Sequence, residues 1–298
     1  MAGHNSALPA LIHPRRVIGG REFDFDREVA VMAIINRTPD SFFDQGATFA
    51  LDKAVAAALQ AIADGADWVD IGGVKFAPGP PVPVDQEIDR VVPVVLALRG
   101  AGAVISVDTF HPAVARAALE AGADVINDTT GIHDPLMADV VADSEATLVV
   151  THSLARPRMP HPAPRYGDVV SEVAAFLRER TELALAHGIP PERIIIDPGH
   201  DLNKNTRHSL ELTRRLPEIA ALGYPTLVAV SNKDFIGETL DRPREQRVEG
   251  SLAAAVFSIM QGARIVRMHN VRAAVDAVRM TEAILGFREP AYERHNLA

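Results

Sequence analysis

The residues with chemical capacity in this chain recur at intervals, each group following a short apolar run. The first is Asn36-Arg37-Thr38-Pro39-Asp40-Ser41-Phe42, and the second is Asp70-Ile71-Gly72-Gly73. Asp108-Thr109, Asn127-Asp128, Thr151-His152, Asp197-Pro198-Gly199, Ser231-Asn232-Lys233 and Arg267-Met268-His269-Asn270 complete the series. Taken singly, each group has a bland reading. Asp108 and Asp128 each precede a Thr and suit a helix N-cap, and His152 reads equally well as a satisfied structural histidine. Eight polar groups at corresponding places point instead to one binding mouth. A ring of Asp108, Asn127, Asp197 and Lys233 suits a flat heterocycle: the carboxylates accept from ring N–H groups, while Lys and Asn donate to ring oxygen and nitrogen. Arg267 and His269 suit a phosphate or pyrophosphate. Asn36 offers a carbonyl oxygen to Mg²⁺, an ion that usually keeps waters and phosphates as its other ligands.

A repeated strand–loop–helix unit must position these groups. The apolar runs span 31–35, 67–71, 103–107, 124–127, 146–150, 193–196, 226–230 and 263–267, and they are apolar on both faces, as buried parallel strands are. Helix-like stretches rich in Ala, Leu and Glu lie between them, at 51–64, 112–121, 168–187 and 249–261, with a shorter one at 135–143. Gly65, Gly122 and Gly262 each stop a helix where a left-handed cap is wanted. Eight such units over ~250 residues predict an α/β protein with one (β/α)8 TIM barrel, and an open doubly wound sheet is the rival arrangement. The expected division is a flexible leader with a short strand or loop over 1–25, the barrel over 26–290 and a tail over 291–298. The Pro- and Arg-rich stretch 155–166 is expected to be a mobile loop after the fifth strand.

Composition narrows the classes. The chain has 298 residues, 47% of them hydrophobic and 23% charged, which excludes a disordered chain. Thirty Lys and Arg against 39 Asp and Glu give a net charge of −9, which argues against a nucleic-acid surface. With no Cys there is no disulfide scaffold, thiolate zinc site or cysteine nucleophile. No apolar stretch is long enough to span a membrane, and the first 21 residues lack the apolar core of a signal peptide. A cytoplasmic protein that binds neither nucleic acid nor membrane is expected.

The ordered motifs resemble those of the dihydropteroate synthases. The first-loop signature Asn36–Phe42 carries the resemblance, together with Asp70-Ile71-Gly72-Gly73, Ser106-Val107-Asp108-Thr109, Ile126-Asn127-Asp128, Ile196-Asp197-Pro198-Gly199, the run from Val230 to Gly237 and Arg267-Met268-His269-Asn270-Val271. The resemblance covers about Val31 to Leu285. It implies a TIM barrel that condenses a hydroxymethyl-dihydropterin pyrophosphate with p-aminobenzoate in folate biosynthesis. It further implies a pterin pocket of Asp108, Asn127, Asp197 and Lys233, with Arg267 touching both ring and phosphates. A pyrophosphate and Mg²⁺ site of Asn36, Arg267 and His269 is implied too. Lys233, Arg267 and Asp108 then stand nearest the catalytic step, and a homodimer is implied, for which the broadly apolar helix over 251–261 is the candidate face.

The departures from that pattern cluster in loops. Where the family continues Glu-Ser-Thr-Arg-Pro-Gly, this chain has Val74-Lys75-Phe76-Ala77-Pro78-Gly79, so Phe76 and Ala77 stand in place of a hydroxyl and a guanidinium. Asn232 replaces an Arg, Asp201-Leu202-Asn203-Lys204 replaces Gly-Phe-Gly-Lys, and Thr151 precedes His152 in place of Met. These changes lead to the expectation of a synthase homologue that binds pterin with weak or no synthase activity. Three alternatives stand beside it: an active synthase with rearranged loops, a non-catalytic pterin-binding or regulatory subunit, and a transferase acting on a methylated folate or corrinoid.

Overall fold

The computed structural model describes residues 8–37, 51–155, 157–160 and 163–296. An antiparallel hairpin, β1 (Arg15–Ile18) and β2 (Arg21–Asp24), comes first. Eight parallel strands then close into a barrel: β3 (Ala30–Asn36), β4 (Trp68–Gly72), β5 (Val104–Asp108), β6 (Val125–Asp128), β7 (Thr147–Thr151), β8 (Ile194–Asp197), β9 (Thr226–Val228) and β10 (Ala263–Met268). They follow one another around the ring in chain order, and β10 pairs back onto β3. The barrel is thus closed and not an open sheet. Strands β4 to β8 each begin and end one residue later than the apolar runs and take in a polar or glycine residue: Gly72, Asp108, Asp128, Thr151 and Asp197. Ladder pairing uses the backbone, so a polar side chain at the strand end does not interrupt it.

The helices are α1 (Leu51–Ala63), α2 (Val84–Leu98), α3 (Pro112–Ala121), α4 (Leu136–Ala142), α5 (Val169–Ala186), α6 (Thr206–Arg214), α7 (Leu216–Ala220), α8 (Asp234–Leu240), α9 (Val248–Met260) and α10 (Val271–Ile284). The simple unit is elaborated twice, with α6 and α7 between β8 and β9, and α8 and α9 between β9 and β10. Helix α3 starts with Pro at its first position, where the missing N–H costs nothing. It ends at Gly122, whose φ of 108° is the left-handed cap the sequence requires.

The leader expected to hold a short strand or loop contains two paired strands from Arg15 onward. Ile18, Phe23 and Phe25 are buried in the foot of the barrel against Trp68, with the Phe23 and Phe25 rings stacked at 5.6 Å. Arg16 ties the hairpin to the barrel, because its Nη1 donates to the Glu192 and Ile194 carbonyls at 2.7 Å each. The hairpin's Ile18, Phe23 and Phe25 complete the packing of the barrel's lower end beside Met32 and Trp68.

Alternation along the strands then builds the upper end. Met32, Trp68, Val104, Val125, Val149, Ile195, Leu227 and Ile265 share the interior apolar cluster at the foot. Two or four residues further along each strand the same face returns. It presents Asn36, Asp70, Asp108, Asn127, Thr151, Asp197 and Arg267, and the turn beyond the end of β9 adds Ser231. The intervening residues, such as Val69, Ile71, Val107 and Ile126, pack outward against the helices. One period-two pattern therefore makes both the core and the polar mouth.

Candidate functional site

At the C-terminal end of the strands lies a cavity of about 600 Å³. Asn36, Asp108, Asn127, Asp197, Lys233, Arg267 and His269 all line it, so the structure brings together every residue singled out in the sequence as a ring, phosphate or metal ligand. Thr38 to Phe42 of the first-loop signature lie outside the described residues.

The residue that organises this ring is Asp70, which sequence reasoning placed in a motif but not in the site. It is fully buried, and its Oδ2 accepts from Arg267 Nε at 2.6 Å and Asn127 Nδ2 at 3.1 Å. Its Oδ1 accepts from Ser106 Oγ at 2.6 Å, which follows from the register, because Asp70 and Ser106 are partners across β4 and β5. Arg267 also reaches Asp108, with Nη2 donating to Oδ2 at 3.1 Å. A carboxylate among Val69, Ile71 and Trp68 was itself the signal, since an isolated charge in an apolar run must have a partner in the fold.

These contacts leave specific acceptors for a ligand. Burial pushes the Asp108 carboxyl up to about 7, with Arg267 opposing the shift. Burial likewise raises Asp197 to about 6, and the Gly199 amide opposes it by donating to Oδ1 at 2.7 Å. Asn127 Oδ1 and Thr151 Oγ1 are buried without a hydrogen-bond partner among the described residues, and both residues line the cavity. Burial also lowers the Lys233 ammonium. The arrangement can receive a planar group with several N–H donors and an oxygen, edge-on to Asp108, Asn127, Asp197 and Lys233.

Other polar groups are consumed by the fold. Asp128 accepts from the Thr130 and Ile132 amides at 2.8 Å each and shapes the turn after β6. Thr109 Oγ1 donates to the buried Glu87 at 2.7 Å. His152 Nδ1 lies 2.8 Å from Lys204 Nζ, and burial lowers the His152 imidazole to about 2. The imidazole is therefore uncharged beside Lys204, whose own ammonium burial lowers to about 7. His200, absent from the sequence reading, lines the cavity. Its Nε2 donates to Thr213 Oγ1 at 3.1 Å, because the Thr213 hydroxyl is committed to the Ser209 carbonyl at 2.8 Å. That leaves His200 Nδ1 as a buried acceptor with no partner among the described residues.

A family described as pterin binding enzyme matches residues 32–269. The chain belongs to this family. Among its relatives is a Mycobacterium tuberculosis protein named inactive dihydropteroate synthase 2, 46% identical over 286 residues, covering 94% of this chain and 90% of the relative. The Bacillus subtilis dihydropteroate synthase is 37% identical over 288 residues, covering 96% of this chain and 97% of its own length. The crystal structure of Burkholderia cenocepacia dihydropteroate synthase complexed with 7,8-dihydropteroate superposes with a TM-score of 0.84 at 40% identity, covering 94% of this chain and 98% of that one. The chain is thus a dihydropteroate synthase homologue.

Against this pterin-binding family the loop departures take on definite geometry. Lys75, Phe76, Ala77, Pro78 and Leu202 line the cavity, so the apolar replacements face the ligand space. Asp201 lines it too, but its carboxylate is occupied: Oδ2 accepts from the Asp234 amide at 2.6 Å and the Phe235 amide at 3.3 Å, and Oδ1 accepts from Ser209 Oγ at 3.0 Å. Asn232 does not line the cavity. It is buried in a left-handed conformation (φ 56°), its amide donating to Ser251 Oγ on α9 at 2.9 Å. A guanidinium does lie on the cavity wall nearby, from Arg244, which the sequence pattern had not marked.

Proposed function

We propose that this protein binds a pterin, or a pterin bearing a phosphate ester, at the C-terminal mouth of the barrel and has weak or no dihydropteroate synthase turnover. Asp108, Asn127 and Asp197 accept or share the ring hydrogen bonds, Lys233 donates to the ring carbonyl, and Arg267 bridges ring and phosphate with His269 beside it. One observation carries the pterin half of this reading: polar ends from strands all round the barrel converge on one cavity, with buried acceptors on Asn127 and Thr151 left for a ligand.

The loss of turnover rests on the wall of Phe76, Ala77 and Leu202. Departure of pyrophosphate needs positioned donors where negative charge gathers, and each such donor is worth ~10²–10³ in rate. Neither Phe nor Ala has a side-chain donor. The Asp201 carboxylate adds like charge where the carboxylate of an aminobenzoate would approach. The name of the Mycobacterium tuberculosis relative agrees with this reading.

Mg²⁺ fits here as a companion of pyrophosphate and not as a resident ion. Among the described residues no three His, Asp or Glu gather as a metal cluster. Asn36 and Asp108, however, are the register partners of Gly72 on either side, so two oxygen-bearing side chains flank one glycine at the mouth. Asn36 would hold the ion, which would screen the departing phosphate charge, with waters and phosphate oxygens completing the shell. A homodimer through α9 and α10 belongs to the same reading, since Phe257, Met260, Met280 and Ile284 are exposed there. So does a cytoplasmic setting, and no helix among the described residues is long and apolar enough to cross a membrane.

One observation favours the second reading, an active synthase with rearranged loops: Lys75 and Arg244 both line the cavity. Single-turnover assay with pterin pyrophosphate and p-aminobenzoate, alongside calorimetry with the pterin alone, separates the two. Binding without product is the expected result. Turnover at ~1 s⁻¹ or faster, ordinary for an enzyme, installs the second reading, and no binding at millimolar pterin removes both.

A further inference from the structure

The loop after β4 forms the wall of the cavity that departs furthest from the family, and a residue of a different loop grips it. Arg158 stands in the loop after β7. Its backbone amide donates to the Phe76 carbonyl at 3.1 Å, and its carbonyl accepts from the Gly79 amide at 3.1 Å. Its guanidinium adds two bonds, Nη1 to the Ala77 carbonyl at 2.7 Å and Nε to the Pro80 carbonyl at 3.0 Å. Every acceptor and donor on the loop is backbone, so the grip asks nothing of the loop's side chains except that position 79 carry none.

Two further observations single out Arg158. Its φ of 64° is left-handed, uncommon outside Gly, and this turns both its amide and its carbonyl toward the loop. Gly79 accommodates the guanidinium: a Cβ there would stand 2.2 Å from Nη2 and 2.8 Å from Cζ of Arg158. A planar fork with several donors can serve two carbonyls at once, whereas an ammonium on the same stem serves them poorly. Arg158 does not itself line the cavity, while residues 74–78 do.

We propose that Arg158 is a positioning residue that holds the loop after β4 against the cavity before any ligand arrives. The wall of Lys75, Phe76 and Ala77 is then preset. A bare heterocycle meets only the strand ends and is indifferent to this wall. A heterocycle with an anionic extension lies along it, so Arg158 selects for what is attached to the ring. This second consequence rests on the pterin reading of the cavity, whereas the grip itself does not.

Amide hydrogen exchange on the full-length wild type, R158A and R158K tests the grip. Exchange across residues 76–80 is expected to speed up about tenfold or more in R158A and by less in R158K, while α3 and α5 are unchanged. Equal exchange in wild type and R158A overturns the proposal. If R158A fails to fold, G79A takes its place, because its methyl displaces the guanidinium and the same acceleration is expected. Calorimetry then compares 6-hydroxymethylpterin with its pyrophosphate ester. R158A is expected to leave the first within about twofold and to weaken the second about fivefold or more, since only the second depends on the wall. Equal weakening of both, or of neither, assigns Arg158 a purely structural role and overturns its part in selection. If neither compound binds the wild type, the pterin reading fails while the exchange result still decides the grip.

Discussion

The ring of strand ends and the rim of loops share one cavity but are held in opposite ways. Asp70, Ser106, Asn127, Asp108 and Arg267 are linked by hydrogen bonds through buried carboxylates on adjacent or facing strands. Removing the Arg267 guanidinium leaves Asp70 a buried charge without its countercharge. The rim is tied through backbone groups, as in the Arg158 contacts to Phe76, Ala77, Gly79 and Pro80 and the Asp201 contacts to Asp234 and Phe235. Backbone ties tolerate a change of side chain. A binding ring can therefore persist while the loops that supply leaving-group and second-substrate contacts diverge, and the departures at Phe76, Ala77 and Leu202 lie on the tolerant side of this division.

The sharpest way to break the comparison is to cut the ring at its centre. R267A leaves the fully buried Asp70 without its guanidinium and exposes Asp108 to the same deficit. Loss of ~3–5 kcal/mol of folding stability is expected from breaking such a pair, with pterin binding abolished. Urea denaturation measures the first, and a change under ~1 kcal/mol would show that the ring is not the rigid half.

A smaller effect is expected at Asp197. D197N should weaken pterin binding by ~1–3 kcal/mol, because a ring donor loses a charged acceptor. The wild type should also show a steeper pH dependence than the variant. Burial raises the Asp197 carboxyl to about 6. Below that pH the free protein carries the proton and binding must expel it, so Asp197 lowers affinity by up to ~10-fold per pH unit on the acid side. The same raised value means that ionising Asp197 opposes folding, a contribution that grows as pH rises from its unfolded value near ~4 toward about 6. Titration calorimetry from pH 5 to 8 compares the two proteins: the Asp108 carboxyl, raised to about 7, contributes a slope to both, and the wild type is expected to be the steeper below about 6, so parallel slopes would reject the assignment.

The rim gives the smallest change in structure. F76T with A77R should restore a hydroxyl and a guanidinium to the cavity wall, raising single-turnover product formation ~10-fold or more without altering stability by more than ~1 kcal/mol. Asn232 is left out of the variant: its side chain is buried against α9 and its backbone is left-handed, so an Arg there would not enter the cavity. A double variant that folds normally and forms no more product would place the defect outside the loop after β4.

The amino-acid pattern by itself determined the eight strands, the alternation that carries Asp108, Asn127, Asp197 and Arg267 to one face, and the glycine stops such as Gly122. These depend on local periodicity and on backbone preferences of single residues, which are written in the order of the chain. Only the tertiary structure decided which polar groups meet. Asp70 and Arg267 are 197 residues apart, and they pair because closure brings β10 next to β3 and the inward faces converge across the barrel. The pairing that plugs the foot was not legible beyond a short strand or loop, since four-residue strands such as Arg15–Ile18 give too short a pattern to separate from a loop. Nor were the outward turn of Asn232, the arrival of Arg244 on the wall or the Arg158 grip. Each is set by how loops of different strands lie across one another, and no periodicity within a loop encodes the neighbour it will touch.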